Sequence, residues 1–285
     1  MESTTGWARV KKLLGGRAEF LLANVLQIPL PPKARRKKTD KLDTARLLRE
    51  YLHGDLPVSH QPDEQWRSAR RLVSLRESLV RRRTALRNRI TSYFAHEVWP
   101  ASEEAGTWSG VGIERLTARV ELQPEADRFV LSMMLAEMND LEPRLSQVQA
   151  KLLELYQRWP DAQRIDAVDG IAEVAAVSIV ARIGPIERFA SADALIAYAG
   201  LSPGIHQSDS TVRHLSIGGG GTDKALRFYL MEASVWARRI PRYEATYERL
   251  AARRGKRIGR IAVARMMLRS IFKMLKEGVT FRPAA

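Results

Sequence analysis

A chain of 285 residues with 45 % apolar side chains can bury a substantial core in one large or two medium domains, which excludes a wholly disordered protein. It has no cysteine, so a disulfide framework and thiolate zinc sites are excluded, and its five histidines are scattered without metal-ligand spacing. The formal net charge of +15, from 47 Lys and Arg against 32 Asp and Glu along the whole chain, favours a polyanionic partner, nucleic acid ahead of a membrane surface.

No run of about 18 apolar residues is present, so no membrane span is expected. The start, Met1-Glu2-Ser3-Thr4-Thr5, is polar and acidic and unlike a signal peptide. Together these lead to the expectation of a bacterial cytoplasmic, nucleoid-associated protein.

In chain order, residues 1–30 read as a short helix from Trp7 to Leu14 and an apolar run of strand length from Phe20 to Val25. Pro29, Pro31 and Pro32 end regular structure. The basic run of Lys33, Arg35, Arg36, Lys37 and Lys38 reads either as a solvated loop or as a phosphate-contacting strip. The second is favoured because acids follow at once. Asp40 and Asp43 open an amphipathic helix through Leu52, and two carboxylates three apart share one helical face. Helix capping explains them plainly. A divalent-metal site is the sharper reading, since magnesium takes hard oxygen ligands and one or two carboxylates per element.

Residues 62–98 form a long helical pattern with Leu72, Leu75, Leu79, Leu86 and Ile90 on one stripe and arginines over the rest. The Gly, Ser and Thr content of 100–124 reads as a connector. Residues 131–159 carry the alternating three- and four-residue steps of a coiled-coil seam: Leu131, Met134, Met138, Leu141, Leu145, Val148, Leu152, Leu155 and Trp159. Pro143 inside it should kink or restart the helix near Asn139-Asp140. Residues 165–184 resemble a helix-hairpin-helix, in which the turn at Gly170 offers backbone N–H groups to a phosphate; a plain packing corner reads equally well.

A helix over 190–200 ends at Gly200, and Gly200-Leu201-Ser202-Pro203 leads into a polar loop with Ser208 near its tip and basic Arg213 beyond. Gly218 to Gly221 read as a phosphate cradle or a hinge. Thr222 or Asp223 should cap a helix through Arg238, and basic amphipathic helices follow from Arg242.

Three segments carry a family resemblance: Glu2-Ser3-Thr4-Thr5-Gly6-Trp7, Lys38-Thr39-Asp40-Lys41-Leu42-Asp43, and Ala197-Tyr198-Ala199-Gly200-Leu201-Ser202-Pro203 through Gln207-Ser208. On these the chain resembles the insertion-sequence 110/116/902 family of bacterial transposases, relatives of the Piv DNA invertases, over nearly its whole length. The resemblance implies a mainly α protein in three parts. Residues 1–61 would be a truncated RNase H/RuvC-like α/β (DEDD) part, 62–160 a region of long coiled-coil helices, and 161–285 an all-helical transposase domain with a helix-hairpin-helix-like motif and the catalytic serine.

It further implies that Glu2, Asp40 and Asp43 bind Mg2+, that Ser208 is the nucleophile, and that Arg213 stabilises the attacked phosphate. DNA, a structured guide RNA and further copies of the chain are the implied partners, in a dimer or tetramer, and the activity is DNA transposition and recombination.

The chain departs from the family pattern in three places. The first acid of the DEDD set would precede Glu2, so the chain is expected to be weakly active or inactive, through a misassigned start codon or as a remnant. Asp209 follows Ser208 where the family has glycine, and repels phosphate unless it joins the metal site. Ser210 lies nearby, but the spacing from Gly200 favours Ser208, and the glycine run replaces a more basic segment. Two further readings stand beside the recombinase: a non-catalytic DNA- or RNA-binding remnant of such a transposase, and a structural coiled-coil protein with incidental charge.

Overall fold

The computed structural model describes residues 6–25, 27–28, 40–96, 107–208, 211–218 and 221–281. Within them the chain is mainly helical, in two compact units: Met1–Trp66 with Ala167–Gly170 and Arg182–Ala285, and Arg67–Asp166 with Ile171–Ala181.

Helix α1 spans Trp7–Leu14 as the sequence predicts, and Trp7 stacks on Phe20 at 6.4 Å between ring centroids. The apolar run that follows makes one isolated antiparallel bridge, Ala23 to Val58, flanked by hydrogen bonds from the Asn24 N–H to the Pro57 carbonyl and from the Ser59 N–H to the Leu22 carbonyl. Leu22 and Ala23 are buried there. Among the described residues of 1–61 this bridge is the extent of β structure. Helix α2 spans Asp40–His53, and Arg46 donates from Nη2 to the Ile28 carbonyl at 2.5 Å.

Helix α3 covers Glu64–Tyr93 and buries Ala69, Val73, Leu79, Leu86 and Ile90. The predicted stripe holds from Leu79 onward. Earlier in the helix Val73 takes the buried position and Leu75 faces solvent, at 48 % exposure, so the buried face there is one residue out of phase with the leucines.

The stretch read as a connector contains helix α4, Gly110–Glu121, whose N-terminus is capped by Ser109: its Oγ accepts from the Gly112 N–H at 3.1 Å. Burial of Gly112, Leu116 and Val120 at four-residue steps holds it. The composition hid a helix whose cap is itself a serine.

Helix α5 runs unbroken from Glu125 to Arg158, 34 residues, and buries Leu131, Leu135, Met138, Leu141, Leu145, Val148 and Leu152. Leu135 replaces Met134 in the buried stripe. The expected break near Asn139-Asp140 does not occur. Pro143 is exposed while Leu141 and Leu145 are buried on the other side, so packing carries the helix across the lost backbone bond.

Short helices α6 (Pro160–Asp166) and α7 (Glu173–Ile183) follow, then α8 (Ala192–Tyr198), capped by Ser191. Strands β1 (Pro203–Ser208) and β2 (Thr211–Ile217) then form an antiparallel hairpin. This corrects two expectations at once: the polar stretch is strand, and the C-terminal region is not all helical. The Thr211-Val212 and Leu215-Ser216-Ile217 content suits a pleated strand better than its polarity suggested.

Helices α9 (Lys224–Ala237), α10 (Pro241–Arg254) and α11 (Lys256–Glu277) complete the chain. Helix α11 packs against α8, α9 and α10. Being covered from several sides, it buries Ile261, Val263, Ala264, Met267, Leu268, Ile271 and Met274 rather than a single stripe. Tyr243 of α10 is fully buried there, its hydroxyl 2.8 Å from Ser270 Oγ, and burial raises its pKa above the usual tyrosine value.

Candidate functional site

The serine hairpin stands on a base built by the end of α8 and the start of α9. The register pairs Ser208 with Thr211, Gln207 with Val212, and His206 with Arg213, so Ser208 lies in the last pair of the ladder. A register irregularity between Pro203 and Ile205 bends the strand where it leaves the base.

Asp223 organises that base. Its Oδ1 accepts from the Leu226 N–H at 2.9 Å and caps α9, the second of the two caps the sequence offers. Its Oδ2 lies 3.2 Å from the Tyr198 hydroxyl and 3.9 Å from Arg182 Nη1. The Asp223 N–H donates to the Tyr198 carbonyl at 2.8 Å. The Tyr198 hydroxyl also lies 3.3 Å from the Arg182 carbonyl, and Arg188 covers the Phe189 and Tyr198 rings at 4.0 and 4.4 Å.

Arg227, one turn into α9, reaches the two ends of the hairpin. Its Nη1 donates to the Gly200 carbonyl at 3.4 Å and lies 3.5 Å from Thr222 Oγ1. Gly200 has φ +68°, and a Cβ there would collide with the Arg227 guanidinium and come within 2.7 Å of Thr222 Oγ1. At Gly218 a Cβ would stand 2.6 Å from the same guanidinium. Both ends of the hairpin therefore close on one arginine, and only glycine leaves room. The sequence singled out the glycines and the Asp223 cap but not Tyr198, Arg182 or Arg227. The signal was the glycine pair itself: two glycines bracketing a strand pair imply a bulky side chain that needs the space.

Asp40 and Asp43 fall in the first turn of α2, three residues apart, with Asp43 half-buried. Two carboxylates so placed are hard oxygen donors of the kind magnesium takes, and they fit as part of a ligand set. Among the described residues no group of three or more His, Asp or Glu is gathered to complete one. Glu2, Lys33, Arg35, Arg36, Lys37, Lys38, Asp209 and Ser210 lie outside the described residues, as do Gly219 and Gly220. Asp40 and Asp43 thus share the first turn of α2, while Ser208 lies on β1 and Arg213 on β2, two positions along from the Thr211 that pairs with Ser208.

Gly170 turns the chain between α6 and α7 with φ +92°. A Cβ would stand 2.6 Å from the Ala233 carbonyl oxygen and 3.0 Å from Trp236 Cβ, both on α9. Close approach of α9 accounts for the glycine, and Gly170 itself remains exposed.

Among the described residues no helix is long and apolar enough to cross a membrane. A family model described as transposase, of the DEDD type in the IS110 group, matches residues 2–97, the region of the paired aspartates. A second, described as the transposase IS116/IS110/IS902 family, matches residues 162–248 and takes in the whole hairpin and its base.

The protein of Sinorhizobium fredii named as transposase y4pF/y4sB is 23 % identical over 98 % of this chain and 72 % of its own length. The transposase for insertion sequence element IS1111A of Coxiella burnetii is 22 % identical over 89 % of this chain and 71 % of its own. A further S. fredii relative, named as transposase y4qE, is 26 % identical over 83 % of this chain and 57 % of its own.

The two matches fall on the segment with the paired acids and the segment with the serine hairpin, and the chain belongs to the IS116/IS110/IS902 family of transposases, whose members act on DNA.

Proposed function

We propose that the protein moves an insertion sequence by serine attack on DNA phosphodiesters, with Ser208 as nucleophile and Glu2, Asp40 and Asp43 as ligands of a Mg2+ ion. The observation that carries this reading is the presence in one chain of both family matches, one spanning all three acids and the other spanning Ser208 and Arg213. The arrangement of the base supports it. A nucleophile must be held against a phosphate it does not itself bind tightly, and a hairpin locked at both ends by Arg227 supplies that support.

In the proposed step the Ser208 Oγ forms a bond to phosphorus as its proton leaves, the bridging P–O bond of the strand breaks, and the departing oxygen takes up a proton. The phosphoserine keeps the energy of the phosphodiester for rejoining. Arg213, facing His206 across the hairpin, offers charge to the crowded phosphate. Mg2+, when held by the acids, supplies neutralisation of phosphate charge. Lys33, Arg35, Arg36, Lys37, Lys38 and the Gly170 turn are proposed to contact the nucleic-acid backbone. A structured RNA is the proposed guide and a homo-oligomer the proposed working form, both by family likeness alone.

The test is a denaturing-gel search for a covalent protein–DNA adduct on DNA carrying the element's junction, with Mg2+ and the element's own transcript. Wild type should form the adduct, chelation should abolish it, and Ser208→Ala should lose it while still binding DNA. An adduct that survives in Ser208→Ala removes the serine mechanism.

A further inference from the structure

From Arg249 to Lys276 the sequence carries ten Lys and Arg and no Asp or Glu. Some of these cations are engaged. Arg260 donates to the Met231 carbonyl at 2.8 Å, Arg269 pairs with Asp193 at 2.8 Å, and Lys273 stands 3.8 Å from Glu277. The corner where α10 meets α11 differs. Arg249, Arg253, Arg254, Lys256 and Arg257 are all exposed, and none has an ion pair to a described carboxylate. Only Gly255 lies between the two helices. The corner is held firmly, since the Tyr247 ring lies against Gly259, where a Cβ would stand 2.9 Å from Cδ2.

Helix stability does not account for this cluster. Arg253 and Arg254 in the last turn of α10 are favoured by its dipole, but Lys256 and Arg257 sit in the first turn of α11, which has no acid, where the dipole disfavours cations. Five like charges crowded over nine positions repel one another. A polyanion laid across the corner offsets both costs.

We infer that the α10–α11 corner is a docking surface for the sugar-phosphate backbone of duplex DNA, read without regard to sequence and lying beyond residue 248, where the matched family region ends. The exposed side chains choose duplex over single strands. Single-strand surfaces interleave cations with aromatic platforms for unstacked bases. Here the one exposed large apolar side chain is Ile258, and the nearest aromatic, Tyr247, is buried. The inference rests on the family's acting on DNA and is independent of the serine mechanism.

The full chain is titrated with a short duplex of arbitrary sequence, with single-stranded RNA and with anionic vesicles, from about 50 to 200 mM salt. Changing all five cations to Gln should lower the slope of log affinity against log salt by about 4.5 for duplex DNA, since each phosphate contact contributes about 0.9. Substituting Lys for the four arginines should keep the slope. Duplex binding is read without Mg2+ and without strand cleavage, so failure of the serine mechanism leaves this result intact. Should the fivefold variant not fold by circular dichroism, Arg254→Gln and Arg257→Gln singly should each lower the slope by about 1. An unchanged slope in a folded variant overturns the inference. So does a loss larger for single-stranded RNA or vesicles than for duplex DNA, or wild type that does not bind duplex.

Discussion

The α3 and α5 helices and the α8–hairpin–α9 region hold themselves together by opposite means. The first pair is long, 30 and 34 residues, buried by periodic apolar stripes and trimmed by ion pairs at the surface, such as Arg82 with Glu137 at 2.9 Å. Many equivalent contacts share the load, so no one residue decides the structure. In the second region α8 has seven residues, and single groups decide it: the Asp223 carboxylate, the Arg227 guanidinium and the glycine at position 200. Stability drawn from repetition tolerates change, whereas geometry drawn from individual polar atoms does not, and the proposed chemistry sits on the second kind.

The largest expected effect is therefore at Gly200. Gly200→Ala puts a Cβ into the Arg227 guanidinium at a φ of +68°, and strain with overpacking should cost about 2–4 kcal/mol, read by urea unfolding. A cost under about 0.5 kcal/mol would show that the hairpin base yields, and would break the contrast. Next, Asp223→Ala removes the α9 cap and leaves Arg182 and the Tyr198 hydroxyl without their carboxylate. The cap is worth about 1 kcal/mol and the lost contacts to Tyr198 and Arg182 about 1 more together, so a loss of about 2 kcal/mol is expected. Asp223→Asn keeps the capping oxygen and should recover about 1 kcal/mol of that.

In the helical pair the sign reverses. Pro143 is exposed within an unbroken helix, so Pro143→Ala restores a backbone donor and should stabilise by about 1–3 kcal/mol, seen as a higher thermal midpoint. A loss on this change would mean that a bend at Pro143 is itself required.

The same contrast explains what the sequence disclosed. Heptad spacing over 131–159 marks most of α5, because burial repeats along it, and α1, α8 and a cap at Thr222 or Asp223 are legible from local chemistry. Pro143 misled because a local rule was outweighed by Leu141 and Leu145 packing on the far side. The connector misled because Ser109 and Gly112 look like loop residues until they cap and pack. The strand pair reads as a loop in the sequence because its ladder depends on pairing between two segments, which no local pattern in Gly204–Ser208 states. Arg227 was invisible for a related reason: its role comes from two glycines far from it in sequence meeting at one guanidinium.

The smallest effects should come from the surface pairs of the helical arm, and they divide in an informative way. Arg82 and Glu137 are about half exposed, at 52 % and 46 %, so Arg82→Gln should cost about 0–0.5 kcal/mol and nothing measurable in high salt. Glu142 answers two arginines at once, Arg83 at 3.2 Å and Arg87 at 3.4 Å, both less exposed, and Arg87 lies over Trp108 at 5.1 Å. Burial, and then Arg83, pull the Arg87 pKa down, while Glu142 pushes it up. Removing the carboxylate in Glu142→Gln leaves two neighbouring cations facing each other in a partly desolvated place. That change should cost about 1 kcal/mol and keep part of its cost in salt. Equal costs for the two substitutions would mean that the arm's charges act only as a solvated coat, and that the contrast lies between polar and apolar contacts rather than between shared and single ones.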